Sequence, residues 1–284
     1  MTAIQYGPIG YGCWCLSDVD PSQSDRLIRT ALDQGLTLID TADIYGFGTD
    51  AGFGGGEERL GDVLTADPSL RDQMVLATKG GITPPRPYDS SRDYLMSALE
   101  ASLKRLRVET IDIYQIHRPD LMIPMSDLAE TLQTMLDSGK VRAIGVSNFT
   151  ASQMRALSAH LKTPLKTLQP EFSVLNQSAL TDGVLDYSEE IGADVLAWSP
   201  LGNGRLFTET GPVQDVVTRI ADETGKSVTQ VALAFTRSFG ASVIPLIGTT
   251  KPERIVEAAG AASFTLSARQ LYDLVEVYRG VPMP

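Results

Sequence analysis

The chain has 284 residues, which fits either two domains of ordinary size or one (β/α)8 barrel of roughly 250 residues. Its 24 basic and 35 acidic residues give a net charge of −11, so it has no general attraction for nucleic acid or an anionic membrane. Two cysteines, Cys13 and Cys15, exclude a disulfide framework and favour a reducing cytoplasm. With only two histidines, we expect no metal site. No basic residue precedes the mildly apolar N-terminal stretch, and no apolar run is long enough to span a bilayer, so neither a signal peptide nor a membrane span is expected.

A short apolar strand followed by an amphipathic helix recurs along the chain every 25 to 40 residues or so. The predicted strands, in chain order, are Ile9–Trp14, Thr37–Asp40, Met74–Lys79, Ile111–His117, Ala143–Ser147, Leu168–Glu171, Val195–Trp198 and Val243–Ile247. Three of the helices between them have clear boundaries. They run from near Ser24 to Gly35, from Ser91 to Leu106 and from Ser126 to Gly139.

Strands that alternate with helices pair in parallel through right-handed crossovers, and eight such units close into a barrel. We therefore predict one (β/α)8 barrel domain over residues 1–284, with a doubly wound open sheet as the alternative. The segment Gly46–Ala51 matches the G-x-G-x-x-A pattern of dinucleotide-binding sheets, but it follows Tyr45 rather than the end of a strand. We interpret it as a flexible glycine-rich loop.

Four polar residues follow consecutive predicted strands where those strands end. Asp40 ends the second strand and Tyr45 follows it, Lys79 ends the third strand, and His117 ends the fourth. In a barrel these strand ends are neighbours on the rim where active sites form. The sequence therefore predicts that a carboxylate, a phenol, an ammonium and an imidazole meet at one site.

This set of side chains suits proton transfer to an oxygen. A free tyrosine has a pKa near 10, and we expect the Lys79 ammonium to lower it while Asp40 holds Lys79 in position. His117 would donate a hydrogen bond to the substrate oxygen. This is the proton half of a carbonyl reduction, and the hydride half requires a cofactor because no side chain supplies one.

Six segments, in order along the chain, resemble the aldo-keto reductase family: Asp40–Gly46, Lys79–Gly81, Gln115–Asp120, Gly145–Phe149, Ala197–Gly202 and Gly248–Arg254. The resemblance implies a (β/α)8 barrel that reduces aldehydes and ketones with NAD(P)H. It also implies a catalytic tetrad of Asp40, Tyr45, Lys79 and His117, with Tyr45 as the general acid.

The same resemblance implies a cofactor groove. Ser147, Asn148 and Gln169 would bind the nicotinamide carboxamide, and Trp198 would stack on the ring. The residues implied for the rest of the cofactor are Gly12, Cys13, Ser199, Leu201, Gly202, Arg205, Gly248, Thr249 and Thr250. Lys251 and Arg254 would bind an adenosine 2′-phosphate, which favours NADPH. Ala258 stands where the family often has asparagine, so an adenine contact is missing.

Trp14 and Phe47 are expected to line the substrate pocket. No further basic residue marks a charged substrate, so we expect a small or medium-sized apolar carbonyl compound and a monomeric, cytoplasmic enzyme. Two alternatives stay open: an NADPH-binding regulatory or redox-sensing subunit with weak turnover, and an NAD-dependent alcohol or sugar dehydrogenase.

Overall fold

A computed structural model describes residues 4–240 and 242–284 of the chain. Met1–Ala3 and Ala241 lie outside the described residues. The single-domain and signal-peptide predictions also cover these residues, and that part of each prediction lies outside the described residues as well. Eight parallel strands form a closed barrel, which confirms the predicted fold and makes the open-sheet alternative wrong.

The barrel strands are β1 (Gly10–Gly12), β2 (Leu38–Asp40), β3 (Val75–Gly80), β6 (Ile111–Ile116), β7 (Val141–Ser147), β8 (Thr167–Gln169), β9 (Asp194–Ala197) and β10 (Val243–Ile247). A separate antiparallel hairpin, β4 (Ile82–Thr83) and β5 (Arg86–Tyr88), lies between β3 and β6 in the chain. The barrel closes at Tyr11, which is in register with Ile39 of β2 on one side and with Ile247 of β10 on the other. All eight C-terminal strand ends therefore meet at one rim.

The helices are α1 (Pro21–Asp33), α2 (Gly55–Ala66), α3 (Arg92–Leu106), α4 (Met125–Asp137), α5 (Ala151–Ser158), α6 (Val184–Ile191), α7 (Arg205–Thr208), α8 (Pro212–Thr224), α9 (Val228–Arg237), α10 (Pro252–Ala259) and α11 (Ala268–Arg279). At least one of them connects each barrel strand to the next one along the chain. This alternation produces the parallel sheet that the sequence pattern predicts.

The predicted element boundaries differ from the observed ones where polar caps and turns decide them. Helix α1 begins at Pro21 because the Asp20 carboxylate caps it by accepting a hydrogen bond from the backbone N–H of Gln23. The start predicted near Ser24 is therefore wrong. The first strand ends at Gly12, and Trp14 lies in a 3-10 helix, Cys13–Asp18. The hairpin was not predicted because its strands are only two and three residues long.

The barrel interior is filled by a compact apolar cluster of Leu38, Ala77, Ile113, Ala143, Leu196, Ile244 and Leu246. A larger apolar layer packs between the barrel and its helices. At one position the interior requires glycine: a Cβ on Gly145 would lie 2.0 Å from Thr167 Oγ1, its neighbour on β8. The packed interior leaves the C-terminal rim as the face on which a site can be built.

Candidate active site

The four polar side chains predicted to meet do so at the rim. Asp40 is the last residue of β2, Lys79 lies near the end of β3, and His117 directly follows β6. Tyr45 lies in the loop after β2, and its ring centroid is 6.0 Å from that of His117. The distances among them support the sequence-based grouping.

Lys79 is the centre of this group. Its ammonium donates to Asp40 Oδ2 at 2.6 Å, to the Thr41 carbonyl at 2.7 Å and to the Tyr45 hydroxyl at 3.2 Å. The Lys79 side chain is fully buried, and a buried ion pair of this kind holds its geometry because either charge alone would be costly. The phenol thus has a cation fixed beside it.

Asp40 is held from inside the barrel. Its second oxygen, Oδ1, accepts hydrogen bonds from the Gln115 amide at 3.2 Å and from the Gln169 amide at 3.1 Å. Both glutamines are buried strand residues, on β6 and β8. The carboxylate therefore has partners on three strands besides its own.

The protonation states differ from the simplest expectation. Burial raises the pKa of the Tyr45 phenol more than the Lys79 ammonium lowers it, so the net pKa lies above its ordinary value of 10.0. The lowering by Lys79 that we expect from the sequence is therefore present, but desolvation, which sequence reasoning does not include, is larger. Burial would lower the pKa of Lys79, but the neighbouring Asp40 and Tyr45 raise it above its ordinary value.

His117 is neutral in this environment. Burial lowers its pKa well below 6.5, and the Lys79 and Arg118 cations lower it further. Its Nδ1 atom is buried and has no hydrogen-bond partner in the described structure. Tyr45 and His117 are therefore both uncharged groups at neutral pH, next to a permanent cation.

A cavity of about 710 Å³ opens at this rim and contains most of the predicted site residues in its walls. Those that line it are Gly12, Trp14, Asp40, Tyr45, His117, Ser147, Asn148, Gln169, Trp198, Ser199, Leu201, Gly248, Thr249 and Arg254. Those that do not line it are Cys13, Phe47, Lys79, Gly202, Arg205, Thr250 and Lys251. One cavity thus joins the tetrad to the predicted cofactor residues.

The residues outside the walls have different environments. The Cys13 thiol is fully buried, and burial together with the nearby Asp40 charge raises its pKa. Phe47 is exposed on the glycine-rich loop, and the Arg205 Nε donates to the Gly202 carbonyl. Lys251 is exposed as the residue preceding α10.

Polar side chains on one side of the cavity form a chain of hydrogen bonds. The Trp198 indole N–H donates to Asn148 Oδ1 at 3.0 Å, and Asn148 Nδ2 donates to Ser147 Oγ at 2.8 Å. Ser147 Oγ in turn donates to the Gln169 carbonyl at 2.9 Å. These contacts fix the amides and the indole relative to the tetrad, as a binding surface for a planar amide group requires.

Several cavity residues were missed by the sequence reasoning: Ile44, Ile82, Arg118, Pro200, Asn203, Gly204, Phe207, Thr229, Leu246, Ile247 and Glu257. Ala258, which the family resemblance singles out, also lines the cavity. Two signals were present in the sequence. Arg118 directly follows the strand-end His117, and Glu257 and Ala258 lie one helical turn beyond Arg254, on the same face. Phe207 carries no such signal, since a short irregular segment brings it to the cavity.

The model of the aldo/keto reductase family matches residues 8–279. The chain belongs to this family, and it is an oxidoreductase of the aldo-keto reductase class acting on small-molecule carbonyl compounds. The family resemblance stated from the sequence is confirmed, and so is the enzyme class.

Three proteins illustrate the similarity. A 6-dehydroglucose reductase of Novosphingobium aromaticivorans is 42% identical, over 100% of this chain and 95% of that protein. A 6-dehydroglucose reductase of Agrobacterium fabrum is 34% identical, over 95% and 94%. The crystal structure of an aldo/keto reductase from Klebsiella pneumoniae in complex with NADP and acetate is 26% identical, with a TM-score of 0.79 over 98% of this chain and 93% of that chain. The family uses NAD(P)H, and that homologous structure contains NADP.

Within residues 4–240 and 242–284, no helix has the length and apolar character needed to cross a membrane. In the same part of the chain, no three His, Cys, Asp or Glu side chains are grouped as metal ligands.

Proposed function

We propose that this protein reduces an aldehyde or ketone to an alcohol with NADPH, with Tyr45 as the general acid. The observation that carries the proposal is the buried Lys79 ammonium, which contacts both Asp40 and the Tyr45 hydroxyl. Asp40 and Tyr45 line a cavity large enough for a nucleotide and a small substrate. NADPH, when bound, supplies the hydride.

Each side chain of the tetrad has a separate role in the proton transfer. The Tyr45 hydroxyl donates its proton to the carbonyl oxygen as negative charge develops there. Lys79 stabilises the phenolate that remains, and Asp40 keeps Lys79 charged and in position. The neutral His117 imidazole donates a hydrogen bond to the same oxygen, which orients the carbonyl and stabilises the developing charge.

The cavity suits the cofactor. Amide and hydroxyl groups of Ser147, Asn148 and Gln169 are grouped on one wall, where they can bind a carboxamide, and Trp198 supplies a flat ring beside them. At the α10 end, Arg254 lines the cavity, which supports NADPH over NADH because a guanidinium binds phosphate oxygens well.

We propose a polar, hydroxylated aldehyde as the substrate class rather than the apolar carbonyl expected from the sequence. The support is that two relatives covering nearly the whole chain are 6-dehydroglucose reductases, and that Arg118 lines the cavity. 6-Dehydroglucose is therefore the first substrate to test, beside an aromatic aldehyde and a dicarbonyl.

Replacement of Tyr45 by phenylalanine tests the proposal. We expect Tyr45→Phe to lose nearly all kcat while its NADPH affinity stays close to that of the wild type, because only the proton donor is removed. Cofactor oxidation followed by ultraviolet absorbance measures kcat, and quenching of protein fluorescence measures binding. Tyr272→Phe, at an exposed tyrosine on α11, is the matched control.

The outcomes separate the alternatives. A Tyr45→Phe variant that keeps most of its kcat contradicts the acid assignment. A wild type that binds NADPH tightly yet turns over no carbonyl compound favours the regulatory subunit. Faster alcohol oxidation with NAD than carbonyl reduction with NADPH favours the dehydrogenase alternative.

A further inference from the structure

Arg118 is a cation in the cavity wall beside the reacting group. It follows His117 directly, lines the cavity and is half-buried. Its guanidinium carbon lies 5.8 Å from the centre of the Trp198 ring, which is a cation–π distance. The side chain is therefore held against the ring on the tetrad side of the cavity.

Nothing in the described protein uses the hydrogen-bonding capacity of this guanidinium. Within residues 4–240 and 242–284, Arg118 forms no ion pair and its side chain donates no hydrogen bond, although acidic residues outnumber basic ones by 35 to 24. By contrast, Arg105 pairs with the buried Glu57 at 2.7 Å, and Arg71 and Arg142 pair with the buried Asp112. An aromatic face satisfies the charge in part, but it leaves the N–H donors free.

Arg118 and Arg254 lie on opposite sides of the rim, because they follow β6 and β10, which are four strands apart in the eight-stranded barrel. Arg254, the cation proposed for the cofactor phosphate, belongs to α10, whereas Arg118 adjoins the imidazole that would bind the substrate oxygen. A group that binds Arg118 is therefore a part of the substrate other than the carbonyl, which faces Tyr45 and His117.

We propose that Arg118 determines substrate specificity by binding a pair of acceptor oxygens on the carbonyl substrate, in addition to the carbonyl oxygen itself. A carboxylate and a vicinal diol both present such a pair, and a guanidinium binds paired oxygens through parallel N–H bonds. This inference rests on the proposed function, because it assigns the substrate class of the same site.

Two matched pairs of aldehydes test it. Succinic semialdehyde and butanal share a four-carbon chain and differ by a carboxylate, and glyceraldehyde and propanal differ by a vicinal diol. For each pair we would measure the ratio of kcat/KM values in the wild type, Arg118→Met and Arg118→Lys. Arg26→Met, at an exposed arginine on α1, is the control.

We expect the wild type to prefer the oxygen-bearing member and Arg118→Met to lose about tenfold or more of that preference, as removal of a charged hydrogen bond predicts. Loss for the carboxylate pair alone identifies a carboxylate substrate, and loss for the diol pair alone identifies a polyol. Arg118→Lys keeps the charge without the paired donors, so it retains more of the carboxylate preference than of the diol preference.

Three results overturn the proposal: equal losses for all four aldehydes, unchanged ratios, or an effect on the KM of NADPH alone. A binding measurement, which needs no turnover, tests this inference separately from the proposed function. Both tryptophans of the chain, Trp14 and Trp198, line the cavity, so intrinsic fluorescence reports on its occupancy. Succinate or glycerol that changes the fluorescence of the wild type but not of Arg118→Met supports the inference even if no aldehyde is reduced.

Discussion

At the residue scale, burial decides which groups carry charge. Lys79 is buried but stays charged, because Asp40 and Tyr45 lie within hydrogen-bond distance of its ammonium. His117 has no such partner, and burial together with the cations near it keeps it neutral. The sequence predicted which side chains meet, but it did not predict the direction of the Tyr45 shift, since desolvation depends on packing from distant parts of the chain.

Asp43, two residues before Tyr45, is the clearest case of a carboxyl group kept neutral. Both of its oxygens are buried and have no hydrogen-bond partner in the described structure. Burial raises its pKa well above 3.8, and the nearby Glu57 raises it further, against smaller opposing effects of Arg105 and Lys79. The folded protein therefore binds a proton at Asp43 that the unfolded chain releases.

This predicts a pH-dependent loss of stability at Asp43. Its stabilising contribution is fully present below the unfolded pKa of about 4 and is lost as the pH rises toward the folded pKa. Asp43→Asn, which stays uncharged, should gain stability relative to the wild type as the pH is raised from about 4 toward the folded pKa of Asp43. Urea unfolding across this range measures the difference, with the exposed Asp72→Asn as control. A constant difference at every pH contradicts the prediction.

At the element scale, the start of α10 separates two cations that the sequence grouped together. Arg254 lines the cavity, whereas Lys251 is exposed outside its walls. Sequence spacing identified the segment, but helix geometry and the turn before Pro252 decide which side chain reaches the groove.

Cofactor preference should therefore depend more on Arg254 than on Lys251. We expect Arg254→Ala to weaken NADPH binding by about tenfold or more, with a much smaller effect on NADH, because only NADPH carries the 2′-phosphate. Lys251→Ala should change the ratio less. Dissociation constants for both cofactors measure this, with the exposed Arg269→Ala as control. Equal losses for the two cofactors would remove Arg254 from the phosphate site.

At the scale of the whole molecule, the alternation of buried strands and amphipathic helices was enough to predict the barrel. Strand β10 is a continuous apolar run and β6 carries three isoleucines, and the observed positions of both strands agree closely with the prediction. The substrate side of the cavity was harder to predict. Ile82 and Phe207 reach it from a short hairpin strand and a four-residue helix, whose positions depend on tertiary packing rather than on any local pattern.

The tight contact between β7 and β8 gives a prediction for the barrel as a whole. Gly145→Ala would force a methyl group against Thr167 Oγ1 and its backbone, so we expect a loss of ~1–3 kcal/mol in the free energy of unfolding. At Gly211, the N-cap residue of α8, the new methyl group would meet only the end of the Gln214 side chain, so Gly211→Ala should cost less than Gly145→Ala. Chemical denaturation compares the two, and an equal effect at both positions contradicts the packing argument.

The arrangement around Asp40 indicates which parts of a barrel enzyme can be replaced without loss of its chemistry. Its partners Lys79, Gln115 and Gln169 all belong to barrel strands, and none of them comes from a loop. Rim loops other than the one that carries Thr41 and Tyr45 can therefore be exchanged, lengthened or redesigned without disturbing the charge that supports Tyr45. New substrate ranges are accordingly within reach of loop grafting, while the Asp40–Lys79 pair is inherited unchanged from the barrel.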